Sequence, residues 1–128
     1  MLDTHVWLWM GLTPKSLGKR TRALLADRGN ALVFSTVSAW EIMLKCARGK
    51  LQLPLEPTEY LRTRVPRSGA GLLPVTLDHV LALASLEERH RDPFDRMLVA
   101  QALAEGCTLV TADDRLFEYP IVTLDARR

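Results

Sequence analysis

Four acidic side chains stand at points where the sequence predicts that a strand gives way to a helix. They are Asp3, Glu41, Asp95 and Asp113. Ligands of open α/β sheets bind at the carboxyl ends of the strands, so we expect these carboxylates to gather around one cleft. Gathered carboxylates repel one another unless a cation holds them, and hard oxygen ligands suit Mg²⁺ or Mn²⁺. Such a site activates water and stabilises a phosphate under attack, which indicates a metal-dependent nuclease.

The segment DPFD at 92–95 has a structural explanation beside the chemical one. Asp92 is a good helix N-cap, Pro93 suits the first helical position, and an acid in the first turn favours the helix dipole. We therefore interpret Asp92 as a cap. Asp95 differs, because it shares a helix face with apolar residues three, four and seven positions further on, where an unpaired carboxylate is costly to bury. A metal ligand is the better explanation of Asp95.

Glu41 and Asp113 carry weaker signals when each is taken alone. Lys45, one helical turn after Glu41, offers an ion pair that would explain the acid without a catalytic role, so both interpretations stay open. Asp113 closes an apolar strand, and Asp114 is available to cap a short helix after it. The Thr111 hydroxyl is placed to orient Asp113. Four acids at successive strand–helix junctions are nevertheless more specific than any one of them.

The elements that would position these acids alternate between short apolar runs and helical stretches. This alternation predicts one α/β domain over residues 1–128, with a parallel sheet between helices on both faces. The predicted strands are 1–4, Ala31–Phe34, Leu72–Val75, Cys107–Thr111 and Ile121–Leu124. The predicted helices are His5–Met10, Leu17–Asp27, 36–48, Thr58–Val65, Leu77–Glu88, Pro93–Glu105 and Asp114–Tyr119.

Charge and cysteine content narrow the class of protein. The formal net charge is +2, but without the four acids 17 basic residues stand against 11 acidic ones, a balance of +6. That balance suits either a mildly basic soluble protein or a surface that attracts nucleic acid around an acidic centre. Cys46 and Cys107 have no metal-finger spacing and are interpreted as free thiols. We find no membrane span and no signal peptide, and we expect a cytoplasmic protein.

Four segments of the chain resemble the PIN-domain family, and within it the VapC-type toxins of toxin–antitoxin pairs. They are LDTHVWLW at 2–9, STVSAWEI at 35–42, DPFDRMLVAQA at 92–102 and LVTADDRLFEYP at 109–120, in the family's order. The chain differs from the family pattern at the first strand. Members of the family usually carry several residues before the Asp of that strand, and here two residues precede Asp3.

The resemblance implies a three-layer α/β/α fold with a central parallel sheet of four or five strands. It also implies an endoribonuclease that depends on Mg²⁺, or on Mn²⁺, with Asp3, Glu41, Asp95 and Asp113 as metal ligands and catalytic acids. The hydroxyls of Thr111 and Ser38 would support those acids. The implied partners are an RNA substrate, a cognate antitoxin that covers the active site, and a second copy of the chain in a homodimer.

Two other functions remain open. An α/β phosphotransfer enzyme would use one aspartate as a covalent nucleophile, although Asp3 has no second acid two residues on and no lysine follows the late strand. A PIN-like binding module with a silent site is the other alternative, against which the intact set of four acids argues.

The helix at His5–Met10 is predicted to lie partly exposed and to form a groove for the antitoxin or for a second copy of the chain. Its residues Val6, Trp7, Trp9 and Met10 place much apolar surface close to Asp3. The alternative is that both tryptophans belong to the core.

Overall fold

The computed structural model describes residues 1–87 and 92–128, with the strands arranged in two parallel pairs. β1 (Val33–Ser35) pairs with β2 (Gly71–Leu73), and β3 (Leu109–Thr111) pairs with β4 (Thr123–Asp125). The helices are α1 (Thr4–Leu12), α2 (Lys19–Ala26), α3 (Thr36–Ala47), α4 (Pro57–Arg67), α5 (Leu77–Ala82) and α6 (Pro93–Glu105), with 3₁₀ turns at Pro14–Ser16, Leu83–Ser85 and Asp114–Glu118. The predicted α/β class with parallel strands is therefore confirmed.

The N-terminal segment lies between the two pairs of strands. The Leu2 amide donates to the Val33 carbonyl at 2.9 Å, and the Asp3 amide donates to the Val110 carbonyl at 3.0 Å. Val110 in turn donates to the Met1 carbonyl at 2.9 Å. The spatial order is thus β2, β1, residues 1–3, β3, β4. The first predicted strand is reduced to a single parallel bridge between Leu2 and Val110, yet it carries Asp3 to the middle of the sheet.

Helices cover both faces of the strands, because neighbouring residues in a strand point in opposite directions. Met1, Val33 and Leu109 belong to an apolar cluster formed with α6. Their neighbours Leu2, Phe34 and Val110 belong to a second cluster, formed with α1, α3 and α4. The two clusters lie on opposite sides of the strands, which gives the predicted three layers.

The structure confirms one predicted helix cap and corrects another. Asp92 caps α6, as the sequence indicated, and Ser35 caps α3. Asp3 caps α1, and the cap of the last 3₁₀ turn is Asp113 rather than Asp114. Asp3 and Asp113 act alike for one reason: an aspartate that leaves a strand in extended backbone is already positioned to accept from the amides that follow.

Two further helices differ from their predicted bounds. α4 starts at Pro57 rather than Thr58, because the Glu56 side chain caps it by accepting from the amides of Thr58 and Glu59. α5 ends at Ala82 and passes into the 3₁₀ turn, and the predicted end of this helix at Glu88 lies outside the described residues. None of the described helices has the length and apolar character needed to cross a bilayer.

Candidate active site

One pocket brings together the four acids that the sequence singled out. It encloses about 440 Å³ at the point where α1, α3, α6 and the turn after β3 begin. Its polar wall is formed by Asp3, Glu41, Asp92, Asp95 and Asp113. Residues separated along the whole chain therefore meet at the carboxyl ends of the parallel strands, where ligands of α/β sheets bind.

Asp3 is held at both carboxylate oxygens. As the cap of α1 it accepts from the Thr4 amide through Oδ1 at 2.7 Å, and its Oδ2 accepts from the Thr111 hydroxyl at 2.6 Å. The His5 Nδ1 lies 3.5 Å from the same Oδ2. Only 2% of Asp3 is exposed. Burial raises the pKa of Asp3, and the nearby His5 and the hydrogen bond from Thr111 oppose that rise.

Glu41 is fixed in the same way from two sides. The Thr4 hydroxyl lies 2.7 Å from Oε1, and the Lys45 ammonium donates to Oε2 at 2.6 Å. Ser38 approaches the Thr4 hydroxyl at 2.9 Å, so it reaches the acids through Thr4. Burial lowers the pKa of Lys45, but the hydrogen bond and charge of Glu41 outweigh it and the net direction is upward. The predicted Glu41–Lys45 pair is thus present, and it coexists with the place of Glu41 in the acidic pocket.

Asp113 combines capping with an ion pair that the sequence did not reveal. Its amide donates to the Thr111 hydroxyl at 3.0 Å, so Thr111 links Asp113 to Asp3. Its carboxylate accepts from the Arg115 backbone amide and Nε at 3.0 Å each and from Nη2 at 2.8 Å. That hydrogen bond and the charge of Asp113 raise the pKa of Arg115. The predicted support of Asp113 by Thr111 is made through the backbone rather than the carboxylate.

Asp95 records the electrostatic cost of gathering these acids. It lies in the first turn of α6 and is 8% exposed. Burial, first, and then the charges of Asp3, Asp92, Glu41 and Asp113 together raise its pKa to about 8. A carboxyl group shifted this far, by burial and by several like charges in a cleft, is typical of a functional site.

The oxygen-rich wall fits a hard divalent cation by its chemistry. Carboxylates are the ligands that Mg²⁺ and Mn²⁺ prefer, and each carboxylate oxygen can accept more than one partner. The side chains are nevertheless not assembled as a finished metal centre: in residues 1–87 and 92–128, no three His, Cys, Asp or Glu side chains are grouped as an ion site. Lys45 and Arg115 supply positive charge at the pocket, so a cation would bind beside these pairs or replace their contacts.

Apart from Lys45, sequence reasoning missed the basic residues of the pocket, and it left open whether the tryptophans of α1 lie at the surface or in the core. Arg115, Lys50 and His5 all line the pocket, and the only sequence signal for Arg115 is its position two residues after Asp113. Trp7 is 3% exposed and packs on Phe34 with ring centroids 4.5 Å apart, so the predicted exposure of Trp7 is wrong. Trp9 does line the pocket, beside Leu8 and Leu12.

Comparisons with known proteins show which proteins this chain is similar to. The family model for the PIN domain matches residues 1–122 of the chain. The chain is 26% identical to ribonuclease VapC22 of Mycobacterium tuberculosis (strain ATCC 25618 / H37Rv) over 117 residues, which cover 91% of this chain and 88% of that protein. It is 37% identical to ribonuclease VapC16 of the same strain over 59 residues, and this shorter match covers 46% of the chain and 40% of VapC16.

A solved structure shares the fold over nearly the whole chain. It is the crystal structure of VapBC2 from Rickettsia felis bound to a DNA fragment from their promoter, and it superposes with a TM-score of 0.70. The match covers 97% of this chain and 96% of the other at 16% identity, so it supports the fold alone.

Proposed function

Because the chain belongs to the PIN-domain family, we propose that it is a metal-dependent endoribonuclease and the toxin of a toxin–antitoxin pair. One observation carries the catalytic part of this proposal. Five acids line one pocket, and together with burial four of them hold the pKa of the fifth, Asp95, at about 8. A bound divalent cation would offset both contributions to this shift, because it stabilises a buried carboxylate and neutralises the repulsion among the acids.

In this proposal Asp3, Asp95 and Asp113 hold Mg²⁺ or Mn²⁺, directly or through water, and Glu41 completes the set or orients the attacking water. The cation would supply an activated water and neutralise charge at the scissile phosphate. The protein's own contribution is positioning. Thr111 fixes Asp3, while Lys45 and Thr4 fix Glu41, so these two carboxylates are already oriented before RNA binds.

The geometry disfavours a phosphotransfer enzyme in which Asp3 is the nucleophile. Asp3 is 2% exposed and both of its oxygens accept hydrogen bonds. An attack on phosphorus by either oxygen would compete with one of these hydrogen bonds, the cap of α1 or the Thr111 contact. Hydrolysis by water needs no such change, because no side chain becomes covalently modified.

The test is cleavage of RNA by the purified protein with Mg²⁺, with Mn²⁺ and with a chelator. We expect cleavage with either metal, none with the chelator, and none from Asp95→Asn with metal. Asp78→Asn is the matched control, because Asp78 is an exposed acid on α5 away from the pocket. Metal binding by calorimetry without any cleavage would instead favour the silent binding module. Sequencing of RNA ends after brief expression would identify the substrate.

We also propose that an antitoxin covers the pocket, as the family resemblance implies. Supporting this is the mixed character of the pocket, in which Leu8, Trp9 and Leu12 of α1 stand beside the acids. An apolar antitoxin segment that carries one basic side chain would complement both the apolar residues and the acids of the pocket. Trp9→Ala should weaken antitoxin affinity, while Trp40→Ala, a change of the same type outside the pocket, should not. Equal affinities for both folded variants would place the antitoxin elsewhere.

A further inference from the structure

We propose that a second cavity, between α1 and α4, binds a phosphate group of the RNA outside the cleavage site; this inference rests on the proposed nuclease function. The cavity encloses about 260 Å³ and is lined by Trp7, Gly11, Tyr60, Arg64, Arg67 and Ser68 among others. It lies across α1 from the acidic pocket, whose wall is formed by different residues of that helix, including Leu8 and Leu12. The two cavities are therefore separated by about one helix diameter, roughly 10 Å.

The first observation is an unused hydrogen-bond donor. Trp7 is 3% exposed, and its indole Nε1 is buried without a hydrogen-bond partner among the residues that the structure describes. A buried donor left unpaired costs free energy, and most such groups in proteins find a partner. Trp7 also lines this cavity, so a small rotation of its ring would bring this donor to an acceptor oxygen of a ligand there.

The second observation is the sign of the charge. Two guanidinium groups, those of Arg64 and Arg67, line the cavity, and no carboxylate does. Within residues 1–87 and 92–128 neither arginine forms an ion pair. Arginine forks match the oxygens of a phosphate, and their charge attracts a polyanion to this side of the molecule.

Packing positions the arginine and shapes the cavity. The Arg64 guanidinium lies 5.8 Å from the centre of the Tyr60 ring, a cation–π contact that restricts where its charge can sit. Tyr60 is 1% exposed, and its hydroxyl would lie only 3.0 Å from a Cβ at position 11. Gly11 thus leaves room that a larger residue would fill.

A purely structural role explains only part of these features. Arg64 and Arg67 stand in the last turn of α4, where basic side chains favour the helix dipole. That effect needs neither a cavity nor the buried indole N–H of Trp7. RNA binding does need basic side chains outside the acidic pocket. The five carboxylates of that pocket would repel each phosphate group whose charge is not neutralised by a metal ion.

The indole signals of the protein test the proposal without any need for catalysis. The chain has 3 tryptophans, so a ¹H–¹⁵N spectrum should contain a distinct indole signal for each, and Trp7→Phe assigns the one of interest. We expect inorganic phosphate and a short single-stranded RNA, each added in chelator, to shift the Trp7 signal in a saturable way.

Affinity measurements supply the matched comparison. Arg64→Gln with Arg67→Gln should weaken RNA binding about tenfold, the loss of one charge-assisted contact set. The slope of log K for RNA binding against log salt concentration should become less steep by about 0.7, the value for one phosphate of a single strand. Arg20→Gln with Arg62→Gln removes the same charge from exposed positions outside the cavity and should cost much less.

Three results would overturn the proposal. The first is a Trp7 indole signal that does not shift with RNA or phosphate, and the second is a loss of RNA affinity in the Arg64, Arg67 variant no larger than that of the control pair. The third is a Trp7 signal that shifts only with an acidic peptide, which would make the cavity a protein contact. RNA binding at Trp7 without any cleavage in Mg²⁺ would refute the nuclease function but keep the site. Cleavage with normal RNA affinity in the Arg64, Arg67 variant would refute the phosphate site and keep the nuclease function.

Discussion

The hydroxyl of Thr111 donates to Asp3 Oδ2 at 2.6 Å and accepts from the Asp113 amide at 3.0 Å. One fully buried side chain thereby sets the positions of two proposed metal ligands on different elements. The single hydrogen of this hydroxyl is committed to Asp3, and one of its two lone pairs is committed to the Asp113 amide. Small changes at Thr111 should consequently affect both acids together.

Thr111→Val should impair stability and cleavage at the same time. The substitution keeps the shape but leaves a buried carboxylate oxygen and a backbone amide without their partner, at a cost of about 1–3 kcal/mol. Urea unfolding would measure the free-energy change, and cleavage assays at a fixed metal concentration would measure activity. Thr111→Ser retains the hydroxyl, so it should recover most of both, and an equally impaired serine variant would assign the effect to packing.

The stability of the metal-free protein should depend on pH through Asp95. Its pKa in the folded state is raised to about 8 from the ordinary aspartate value of 3.8, so between these values the folded protein holds a proton that the unfolded chain has lost. The free energy of unfolding therefore falls as pH rises through this window. Asp95→Asn lacks that proton equilibrium, so it should match the parent near pH 4 and exceed it by a growing margin toward pH 8, by up to a few kcal/mol.

The difference between the two denaturation curves at each pH isolates this effect, since other titrating groups are shared. Asp78→Asn, an exposed acid, should show no such trend. A pH-independent difference between Asp95→Asn and the parent would mean that Asp95 titrates normally.

Arg115 should compete with the metal for Asp113. Its guanidinium contacts both carboxylate oxygens, at 3.0 and 2.8 Å. Arg115→Gln removes that competing charge, so Mn²⁺ affinity measured by calorimetry should rise several-fold. Arg127→Gln is the control, because Arg127 pairs with Asp114 and Asp125 outside the pocket. Weaker Mn²⁺ binding by Arg115→Gln would show that the arginine organises the site instead.

The homodimer expected from the family resemblance has a candidate surface around α5. Leu77 is 71% and Leu81 60% exposed, and Trp40, 64% exposed, contacts Phe94 with ring centroids 4.9 Å apart. Light scattering with size exclusion should give twice the chain mass for the parent and one chain mass for Leu77→Glu with Leu81→Glu. Leu55→Glu alters another exposed leucine and should leave the mass unchanged. A monomeric parent would refute the dimer.

The sequence predicted that the acids meet in one pocket because their signal is local. Asp3 and Asp113 follow apolar runs and Asp95 opens an apolar helix, and the carboxyl ends of parallel strands share one edge of the sheet, so the convergence of Asp3 and Asp95 could be inferred without distances. The Asp92 cap and the Glu41–Lys45 pair also depend only on spacing along one helix.

What the sequence could not provide depends on tertiary packing. Nothing local distinguishes Trp7 from Trp9, but helix rotation buries Trp7 against Phe34 and turns Trp9 toward the pocket. The first strand was expected to be longer, because residues 1–3 gain their order from β1 and β3 on either side rather than from their own length. Arg115 escaped notice since arginine after a strand is normally solvated.

The central place of residues 1–3 has a consequence for synthesis on the ribosome. Asp3 precedes, by more than a hundred residues of the chain, the β3 backbone that pairs with it and the hydroxyl that orients it. Until β3 is made, the acidic pocket therefore has no second wall. A nascent chain with the proposed nuclease activity would stay harmless to the RNA of its own ribosome until β3 leaves the exit tunnel, without any help from an antitoxin.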